Sequence, residues 1–243
     1  MKCPRLYLDQ PLQSGGELDL PAGPAAHLRV LRARPGQAVV LFNGDGLDYP
    51  GELLALERRR ARVALGEARP NKTAPSLPLT LFQGVSKGDR MDTAIQKAVE
   101  LGVACIGPVF TERSVVRLDE RRLARRQTHW QGVIVSACEQ CGRAELPRLL
   151  PARALPELLA REGAGRRLVL DPGAGHGLTE LPPPDADGLS LLVGPEGGLS
   201  DQEVASARHA GWTCMRLGPR VLRTETAGIA ALAAVQTLWG DMG

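Results

Sequence analysis

Aromatic residues are scarce in this chain of 243 amino acids: they make up 3% of it, whereas hydrophobic residues as a whole make up 43%. Its cores must therefore be built mainly from leucine, valine and alanine. No apolar run reaches the roughly 18 residues that a membrane helix needs, and the first residues lack the apolar stretch of a secretory signal. We therefore expect a cytoplasmic protein without a membrane segment.

The cysteines do not form a pattern typical of disulfides or metal sites. There are five, an odd number, and they are scattered along the chain, which argues against a disulfide framework. Cys138 and Cys141 form the one CxxC pair, and no second pair stands at zinc spacing. We interpret them as small helix residues, with a metal or redox role as the alternative, and we expect no metal site.

The basic residues are almost all arginine. The net charge is only +3, and four of the 30 basic residues are lysine. Arginine clusters occur at 58–62 and 117–126. Arginine suits bidentate contacts to phosphate, so the clusters indicate either an RNA-binding surface or ordinary solvated faces.

Residues 1–70 have the pattern of a small β-barrel. Apolar segments alternate with Gly, Pro and Asp turns, and 43–46 (NGDG) is a good hairpin loop. The predicted strands are 5–8, 17–20, 38–42, 49–56 and 61–65, and 27–32 predicts one or two helical turns. A polar, proline-rich stretch at 67–78 follows, so we place a linker at 71–78.

From residue 79 to 243 strands and helices alternate, which predicts an α/β domain with a parallel sheet. The predicted strands are 79–82, 106–110, 168–170, 189–193 and 214–217, and the predicted helices are 91–101, 123–137 and 224–239. Residues 200–203 (SDQE) form a capping box that starts a further helix.

Three loops at the predicted strand ends indicate a ligand site, because ligands in such sheets lie beyond the carboxyl ends of the strands. The loops are 170–177, 194–198 and 217–227. A phosphate-binding G-x-x-x-x-G-K-[ST] loop is absent, and Leu178 replaces the last glycine of a dinucleotide fingerprint. The glycines of 194–198 would instead let a ligand approach the bare main chain.

The loop at 217–227 is the most polar of the three. It carries Arg220, Arg223, Thr224, Glu225 and Thr226 just before the last predicted helix. One of the threonines could cap that helix, which is the purely structural interpretation. Two arginines, a glutamate and two threonines exceed what a cap requires, so the loop is also a candidate for catalysis or binding.

Six motifs, in order, resemble one known family. They are 27–32 (HLRVLR), 83–91 (QGVSKGDRM), 112–116 (ERSVV), 139–143 (EQCGR), 194–204 (GPEGGLSDQEV) and 217–232 (LGPRVLRTETAGIAAL). The last two resemble the paired C-terminal motifs of the SPOUT methyltransferases. Together the six resemble the RsmE family, which methylates N3 of one uridine in small-subunit ribosomal RNA.

The resemblance implies a fold and an activity. The fold is a C-terminal SPOUT domain with a parallel sheet and a trefoil knot, preceded by a PUA-like β-barrel that binds RNA. The activity is methylation of N3 of a uridine in 16S rRNA with S-adenosylmethionine, by a homodimer that acts on the small ribosomal subunit. A SPOUT enzyme with another target, such as a ribose 2′-oxygen, and a non-catalytic RNA-binding assembly factor remain as alternatives.

The resemblance also assigns site residues. Arg223 and Arg220 would stabilise the anionic base or position phosphate, and Glu225 would act as a general base, orient Arg223 or cap the helix. The RNA-contacting residues would be His27, Arg32, Arg113 and Arg143, with contact to the cofactor or a structural ion pair as the alternatives for Arg113 and Arg143. The cofactor would lie against Leu170, Asp171, Gly194, Pro195, Glu196, Gly197, Gly198, Leu217, Gly218, Val221, Leu222, Thr224, Thr226 and Ala227. For Glu196 the alternative is that it stabilises its turn.

Overall fold

The structure is a computed structural model that describes residues 3–114, 119–161 and 165–243. By its contacts the chain divides into two compact units. Unit 1 comprises Met1–Ala74 and Val135–Leu146, and unit 2 comprises Pro75–Ile134 and Pro147–Gly243. The predicted domain bounds, 1–70 and 79–243, stay a prediction, and the contacts add the segment 135–146 to the first unit.

Unit 1 is built on a mixed sheet that holds six strands among the described residues. The strands pair in the order β1-β3-β4-β5-β2, and β6 pairs with β4. Only β1 and β3 run parallel. The elements are β1 (Arg5–Tyr7), β2 (Glu17–Leu20), α1 (Ala22–Val30), β3 (Ala38–Phe42), β4 (Leu47–Leu56), β5 (Ala61–Leu65) and β6 (Arg69–Pro70).

The core of unit 1 is aliphatic, as the scarcity of aromatic residues predicts. Leu6, Leu28, Leu41 and Leu53 are fully buried in one cluster. The later segment is held to this unit by hydrogen bonds. The backbone N–H of Tyr7 donates to Glu139 Oε1 at 3.0 Å, and Asn71 Nδ2 donates to the Gly142 carbonyl at 3.0 Å.

The sequence predicted the strands of unit 1 well and its other elements less well. The loop 43–46 does connect the antiparallel strands β3 and β4, with positive φ at Gly44 and Gly46. Helix α1 begins at Ala22, earlier than predicted, and ends before Arg32. The polar stretch 67–78 contains β6, because two residues of it pair with β4.

Unit 2 is an α/β structure. Its elements are β7 (Leu79–Gly84), α2 (Asp89–Glu100), β8 (Cys105–Phe110), α3 (Glu120–Cys141, whose last part belongs to unit 1), β9 (Arg148–Leu149), β10 (Arg153–Ala154), α4 (Leu155–Leu159), β11 (Arg166–Leu170), a 3₁₀ turn (Leu178–Glu180), β12 (Leu189–Val193), α5 (Asp201–His209), β13 (Thr213–Met215) and α6 (Thr224–Trp239). Every prediction of a strand or helix in this half is confirmed to within a few residues; β9, β10 and α4 were not predicted.

The sheet of unit 2 is parallel and places three strand ends together. Among the described residues it has seven strands in the order β10-β8-β7-β12-β11-β13, with β9 paired to β8. Because β12, β11 and β13 are parallel neighbours, their carboxyl ends meet at one edge. The three loops singled out by the sequence follow these strands.

Helices cover both faces of this sheet. Leu158 of α4 and Ala207 of α5 share a buried cluster with Val169 and Leu192 on one face. On the other face α6 packs against α2 and β12. The α/β fold is thus confirmed, whereas the threading of the C-terminal segment into a knot stays a prediction. The predicted motif residues 115 and 116, and residues 117 and 118 of the basic cluster, lie outside the described residues.

Cys138 of the CxxC pair is a packing residue of helix α3. Cys138 is fully buried on α3, and burial raises the pKa of its thiol to about 12. Such a thiol stays protonated at neutral pH, so it is a poor nucleophile and a poor metal ligand. In the described part of the chain, no helix combines the length and the hydropathy that crossing a bilayer requires.

Candidate active site

The loops after β11, β12 and β13 enclose a cavity of about 620 Å³ at the carboxyl edge of the sheet. We call it the strand-end cavity. Its lining residues are Arg90, Arg113, Leu170, Asp171, Pro172, Val193, Gly194, Pro195, Glu196, Gly197, Gly198, Leu199, Val204, Met215, Arg216, Leu217, Gly218, Arg220, Val221, Leu222, Arg223, Thr224, Glu225 and Ala227.

Close approaches of the main chain explain the glycines of the loop after β12. A Cβ on Gly84, at the end of β7, would lie 2.4 Å from the nitrogen of Pro195. A Cβ on Gly197 would lie 2.9 Å from the Cβ of Arg113. Gly198 has φ +68°, a conformation that side chains rarely adopt. A larger residue at position 84 or 197 would collide with these atoms, and one at position 198 would strain the backbone.

Thr224 joins the loop after β12 to the start of α6. Its hydroxyl donates to the Gly194 carbonyl at 2.6 Å and accepts from the Gln83 side-chain amide at 2.9 Å. The N-cap of α6 is Arg223, and no side chain caps the helix. The interpretation of Thr224 or Thr226 as a helix cap is therefore wrong. The Thr224 hydroxyl instead fixes the distance between two walls of the cavity.

Arg113 braces the same loop through the main chain. Its Nη1 donates to the Gly197 carbonyl at 3.0 Å and to the Leu199 carbonyl at 3.3 Å. The side chain lines the cavity with its guanidinium already occupied by these carbonyls. The structure thus gives Arg113 a supporting contact, and its assignment to RNA stays a prediction.

Glu196 connects the loop to the start of α2. Its Oε1 accepts from the Lys87 backbone N–H at 2.8 Å and from Arg90 Nη1 at 2.9 Å. Burial raises the pKa of the Glu196 carboxyl, but hydrogen bonds from its own backbone N–H, from Lys87 and from Arg90 outweigh burial and lower the pKa below its usual value. Glu196 is therefore ionised at neutral pH and pairs with Arg90.

The loop after β13 presents main-chain groups to the cavity. Within the described residues, no hydrogen bond to another protein group is made by the backbone of Leu217, Gly218 or Leu222. All three line the cavity, and Gly218 has φ +68°. These N–H and C=O groups are free to bind a ligand.

The loop after β11 is fixed by ionic contacts on its outer side. Asp171 Oδ2 lies 3.3 Å from Arg208 Nη2, and Asp171 Oδ1 accepts from the Gly173 backbone N–H at 2.9 Å. Arg216 Nη1 donates to the Ala174 carbonyl at 2.8 Å. Leu170 and Asp171 are thereby held as one wall of the cavity.

Three charged side chains at the cavity are not engaged in this support. Arg220 and Arg223 are exposed, and in the described part of the chain neither side chain has a hydrogen bond or an ion pair. Glu225 Oε2 is buried without a hydrogen-bond partner among the described groups. The predicted contact of Glu225 with Arg223 and its predicted capping of α6 are both absent from this part of the structure. These charges are therefore available to a bound ligand.

The structure brings together nearly all the residues that the sequence assigned to the cofactor and to catalysis. Thr226 is the exception, since it is exposed on α6 and does not line the cavity. The sequence analysis missed the lining residues Arg90 and Arg216. Arg90 lies within the motif 83–91, and Arg216 directly precedes the loop 217–227. Their position in or beside these segments is the signal that could have identified them.

Three residues predicted to contact RNA lie in unit 1. His27 Nδ1 lies 3.5 Å from Glu139 Oε2. Arg32 is exposed just beyond α1, with φ +55°, where glycine is the usual residue. Arg143 is 5% exposed, and its carbonyl accepts from Arg5 Nη2 at 3.4 Å. Their roles stay predictions.

Comparison with protein families defines the class of this protein. The sequence model of the RNA methyltransferase domain matches residues 73–236, and that of the RNA methyltransferase PUA domain matches residues 25–65. The cavity lies in the first matched region. The second matched region covers most of α1 and the strands β3, β4 and β5 of unit 1. The chain is thus an RNA methyltransferase of the α/β class with a PUA domain.

The relatives narrow this class to one family. A protein named ribosomal RNA small subunit methyltransferase E from Buchnera aphidicola subsp. Schizaphis graminum is 31% identical over 99% of this chain and 98% of its own. The namesake from Mycobacterium bovis is 34% identical over 86% of this chain and 81% of its own. The chain belongs to the ribosomal RNA small subunit methyltransferase E family, and the resemblance to RsmE is confirmed.

Solved structures of relatives agree with this assignment. Ribosomal RNA small subunit methyltransferase E from Neisseria gonorrhoeae, bound to S-adenosyl methionine, is 40% identical, with a TM-score of 0.93 and 100% of both chains covered. A methyltransferase from Legionella pneumophila in complex with the same cofactor is 36% identical, with a TM-score of 0.94 and the same coverage.

The contacts of Thr224 lead to a stability prediction. Replacing Thr224 by Val keeps the shape but removes the hydroxyl. The buried Gln83 amide then keeps only its 3.4 Å bond to the Gly84 carbonyl, and the half-buried Gly194 carbonyl loses this donor. We expect the free energy of unfolding to fall by about 1–3 kcal/mol, because each unpaired buried group costs its desolvation. Urea unfolding measures it. Thr224→Ser restores the hydroxyl, and the exposed Thr226→Val should change stability by less than about 0.5 kcal/mol; equal losses at both threonines would contradict this account.

The lowered pKa of Glu196 leads to a prediction about pH. A carboxyl whose pKa is lower in the folded state stabilises the fold above its unfolded pKa, and this contribution is lost as the pH falls through the folded pKa. The protein should therefore be more stable than Glu196→Gln in urea unfolding at pH 7, and the difference should shrink as the pH falls below the ordinary glutamate value of 4.5. A stability difference that stays constant between pH 7 and pH 3 would contradict the ion pair with Arg90.

Proposed function

We propose that this protein transfers a methyl group from S-adenosylmethionine to N3 of one uridine in 16S ribosomal RNA, in the cytoplasm. The observation that carries the proposal is the strand-end cavity, which combines free main-chain groups with two unpaired arginines and an unpaired carboxylate. The names of the relatives, and the cofactor in the structures from Neisseria gonorrhoeae and Legionella pneumophila, support it.

The residues of the cavity fit S-adenosylmethionine. The glycines at 194, 197 and 198 leave the loop after β12 without side chains, so that a flat base can lie against the backbone. The free N–H and C=O groups of Leu217, Gly218 and Leu222 can pair with the edge of an adenine. Asp171 and Glu196 also line the cavity, where their carboxylates hold the loops through Arg208 and Arg90. When bound, the cofactor supplies a methyl group activated by the positive sulfur.

The chemistry at uracil N3 requires that a proton leave, because N3 carries one in the neutral base. Glu225 has a buried carboxylate oxygen without a partner, and it lines the cavity. In our proposal Glu225 accepts that proton as the general base. Arg223 and Arg220 then stabilise the negative charge that develops on the base, since their guanidinium groups are unpaired and lie at the same opening.

The other lining residues hold these groups in place. Thr224 precedes Glu225 directly, so its bond to the Gly194 carbonyl sets where α6 begins and where the carboxylate lies. Two contacts hold the glycine loop after β12 in position. One is the hydrogen bond from Arg113 to the loop, and the other is the ion pair between Glu196 and Arg90. A paired or stacked target base would have to leave its stack to reach this cavity.

We also propose that unit 1 contributes to RNA binding through His27, Arg32 and Arg143, and that the substrate is the small ribosomal subunit. The PUA match at 25–65 includes the first two of these residues. The conformation of Arg32 supports this proposal. Its side chain is exposed, and its φ is positive, so the position keeps an arginine where glycine would be less strained.

The product and the catalytic residues can be tested together. Small-subunit RNA from a strain lacking the protein would be incubated with purified protein and S-adenosylmethionine, and the methylated nucleoside identified by mass spectrometry. We expect N3-methyluridine. Glu225→Gln should lower kcat by about 10²–10⁴ because it loses the base, and Arg223→Ala by about 10²–10³ because it loses charge stabilisation. Calorimetry should show cofactor affinity little changed for both.

The controls separate the possible failures. Glu157→Gln changes an exposed glutamate on α4, away from the cavity, and should retain full activity. A ribose 2′-O-methyl product would replace the proposed target atom and keep the enzyme class. The absence of both cofactor binding and transfer would favour a non-catalytic assembly factor. Full activity of Glu225→Gln would refute its role as base and leave the proposed reaction standing.

We further propose that the protein is a homodimer that associates through α6. This helix is rich in alanine, which permits close helix packing, and two apolar side chains near the C-terminus, Leu238 and Met242, are 46% and 52% exposed. Sedimentation equilibrium should give twice the chain mass of 25.9 kDa. Leu238→Glu should shift the protein towards the monomer, whereas a single species of 25.9 kDa for the wild type would refute the dimer.

A further inference from the structure

Unit 2 contains a second cavity, of about 460 Å³, that shares no lining residue with the strand-end cavity. We call it the arginine cavity. It lies on the sheet face that α4 covers, against residues of β7, β8, β11 and β12. Its lining residues are Phe82, Gly107, Pro108, Val109, Arg148, Leu149, Leu150, Pro151, Arg153, Leu158, Arg161, Arg167, Ser190 and Trp212.

Among the described residues, the charge that lines this cavity is of one sign. Arg148, Arg153, Arg161 and Arg167 line it, and no described aspartate or glutamate does; Glu162, next to Arg161, lies outside the described residues. Among the described residues, none of these four side chains has an ion pair or a hydrogen bond. Elsewhere in the chain Arg5, Arg62 and Arg90 pair with carboxylates at 2.9–3.0 Å. Four unpaired guanidinium groups around one cavity repel each other unless an anion lies between them.

The arrangement is more specific than a solvated basic surface. The four arginines lie within residues 148–167, on β9, on β10, just after α4 and on β11, and the fold brings them together at one cavity. Arg153 and Arg167 are half-buried. A Cβ on Gly211, which has φ +81°, would lie 2.9 Å from Arg167 Nη2, so the glycine leaves room for that guanidinium.

The inner part of the cavity is lined by two aromatic rings. The rings of Phe82 and Trp212 meet edge to face, with centroids 6.0 Å apart. A Cβ on Gly107 would lie 2.5 Å from the Phe82 ring, so the ring lies directly on β8. Trp212 is 5% exposed, and its Nε1 is buried without a partner among the described groups.

We propose that the arginine cavity binds phosphate groups of the RNA strand that carries the target base, at a distance from the strand-end cavity. Guanidinium groups bind phosphate in bidentate fashion, and the volume falls in the range of ordinary ligand pockets. The inference rests on the proposed RNA substrate. It adds a second anchoring point in unit 2 that is independent of the cofactor.

A salt titration tests the proposal. Arg148→Gln combined with Arg161→Gln removes two exposed charges at the rim, and binding of a small-subunit RNA fragment would be measured at several salt concentrations. We expect affinity to fall about tenfold or more, since each lost contact involves a charged group. The plot of log K against log salt should become less steep by about 1.4, because each of the two lost contacts to a single-stranded phosphate contributes about 0.7. Cofactor affinity and the free energy of unfolding should not change.

The matched control is Lys97→Gln combined with Arg122→Gln. It removes the same net charge from unit 2, but each of these cations already pairs with a carboxylate, Glu100 and Asp119 respectively. We expect its salt slope to match that of the wild type. An unchanged slope for the rim variant, or an equal drop in both variants, overturns the proposal.

Two further outcomes separate this inference from the proposed function. If the wild type binds RNA but transfers no methyl group, the proposed reaction fails, while the salt slopes still decide the role of the cavity. If the rim variant loses affinity for adenosine monophosphate and keeps its affinity for RNA, the occupant is a free nucleotide and the proposal is overturned.

Discussion

The Thr224 hydroxyl lies between two groups from distant parts of the chain, the buried side-chain amide of Gln83 and the half-buried main-chain carbonyl of Gly194. This arrangement fixes the end of β7, the loop after β12 and the first turn of α6 with respect to each other. The hydroxyl accepts from one of these groups and donates to the other, so it serves both as a bonding partner. The walls of the strand-end cavity depend on this hydroxyl, because it joins the loop after β12 to the start of α6, where the loop after β13 ends.

The charged residues of the strand-end cavity fall into two groups. Arg113, Arg216, Asp171 and Glu196 are bonded to main chain or to other charges, and they support the loops. The side chains of Arg220, Arg223 and Glu225 have no partner among the described groups. A site that moves a proton and stabilises a new negative charge needs this division, because a group that already has a partner is less available to the substrate.

The same sheet carries two cavities of different chemistry. The strand-end cavity has both signs of charge and a bare backbone, which suits a small cationic cofactor and a base. Among the described residues, the charged side chains that line the arginine cavity are all arginines, and two aromatic rings line it as well, which suits a phosphate chain. An RNA strand held at the second cavity would present its base to the first with less loss of freedom, since part of the ordering would already be complete.

The sequence by itself determined the local structure and the family. The alternation of apolar residues located the strands of both units, the capping box at 200–203 located α5, and six short motifs identified the RsmE resemblance and the three site loops. These signals act between near neighbours in the chain. The sequence did not reveal that Thr224 bonds to Gly194 and Gln83, 30 and 141 residues away, rather than capping its helix. Nor did it reveal that Arg148, Arg161 and Arg167 meet at one cavity. Those contacts depend on the order of strands in the sheet, and no local periodicity encodes that order.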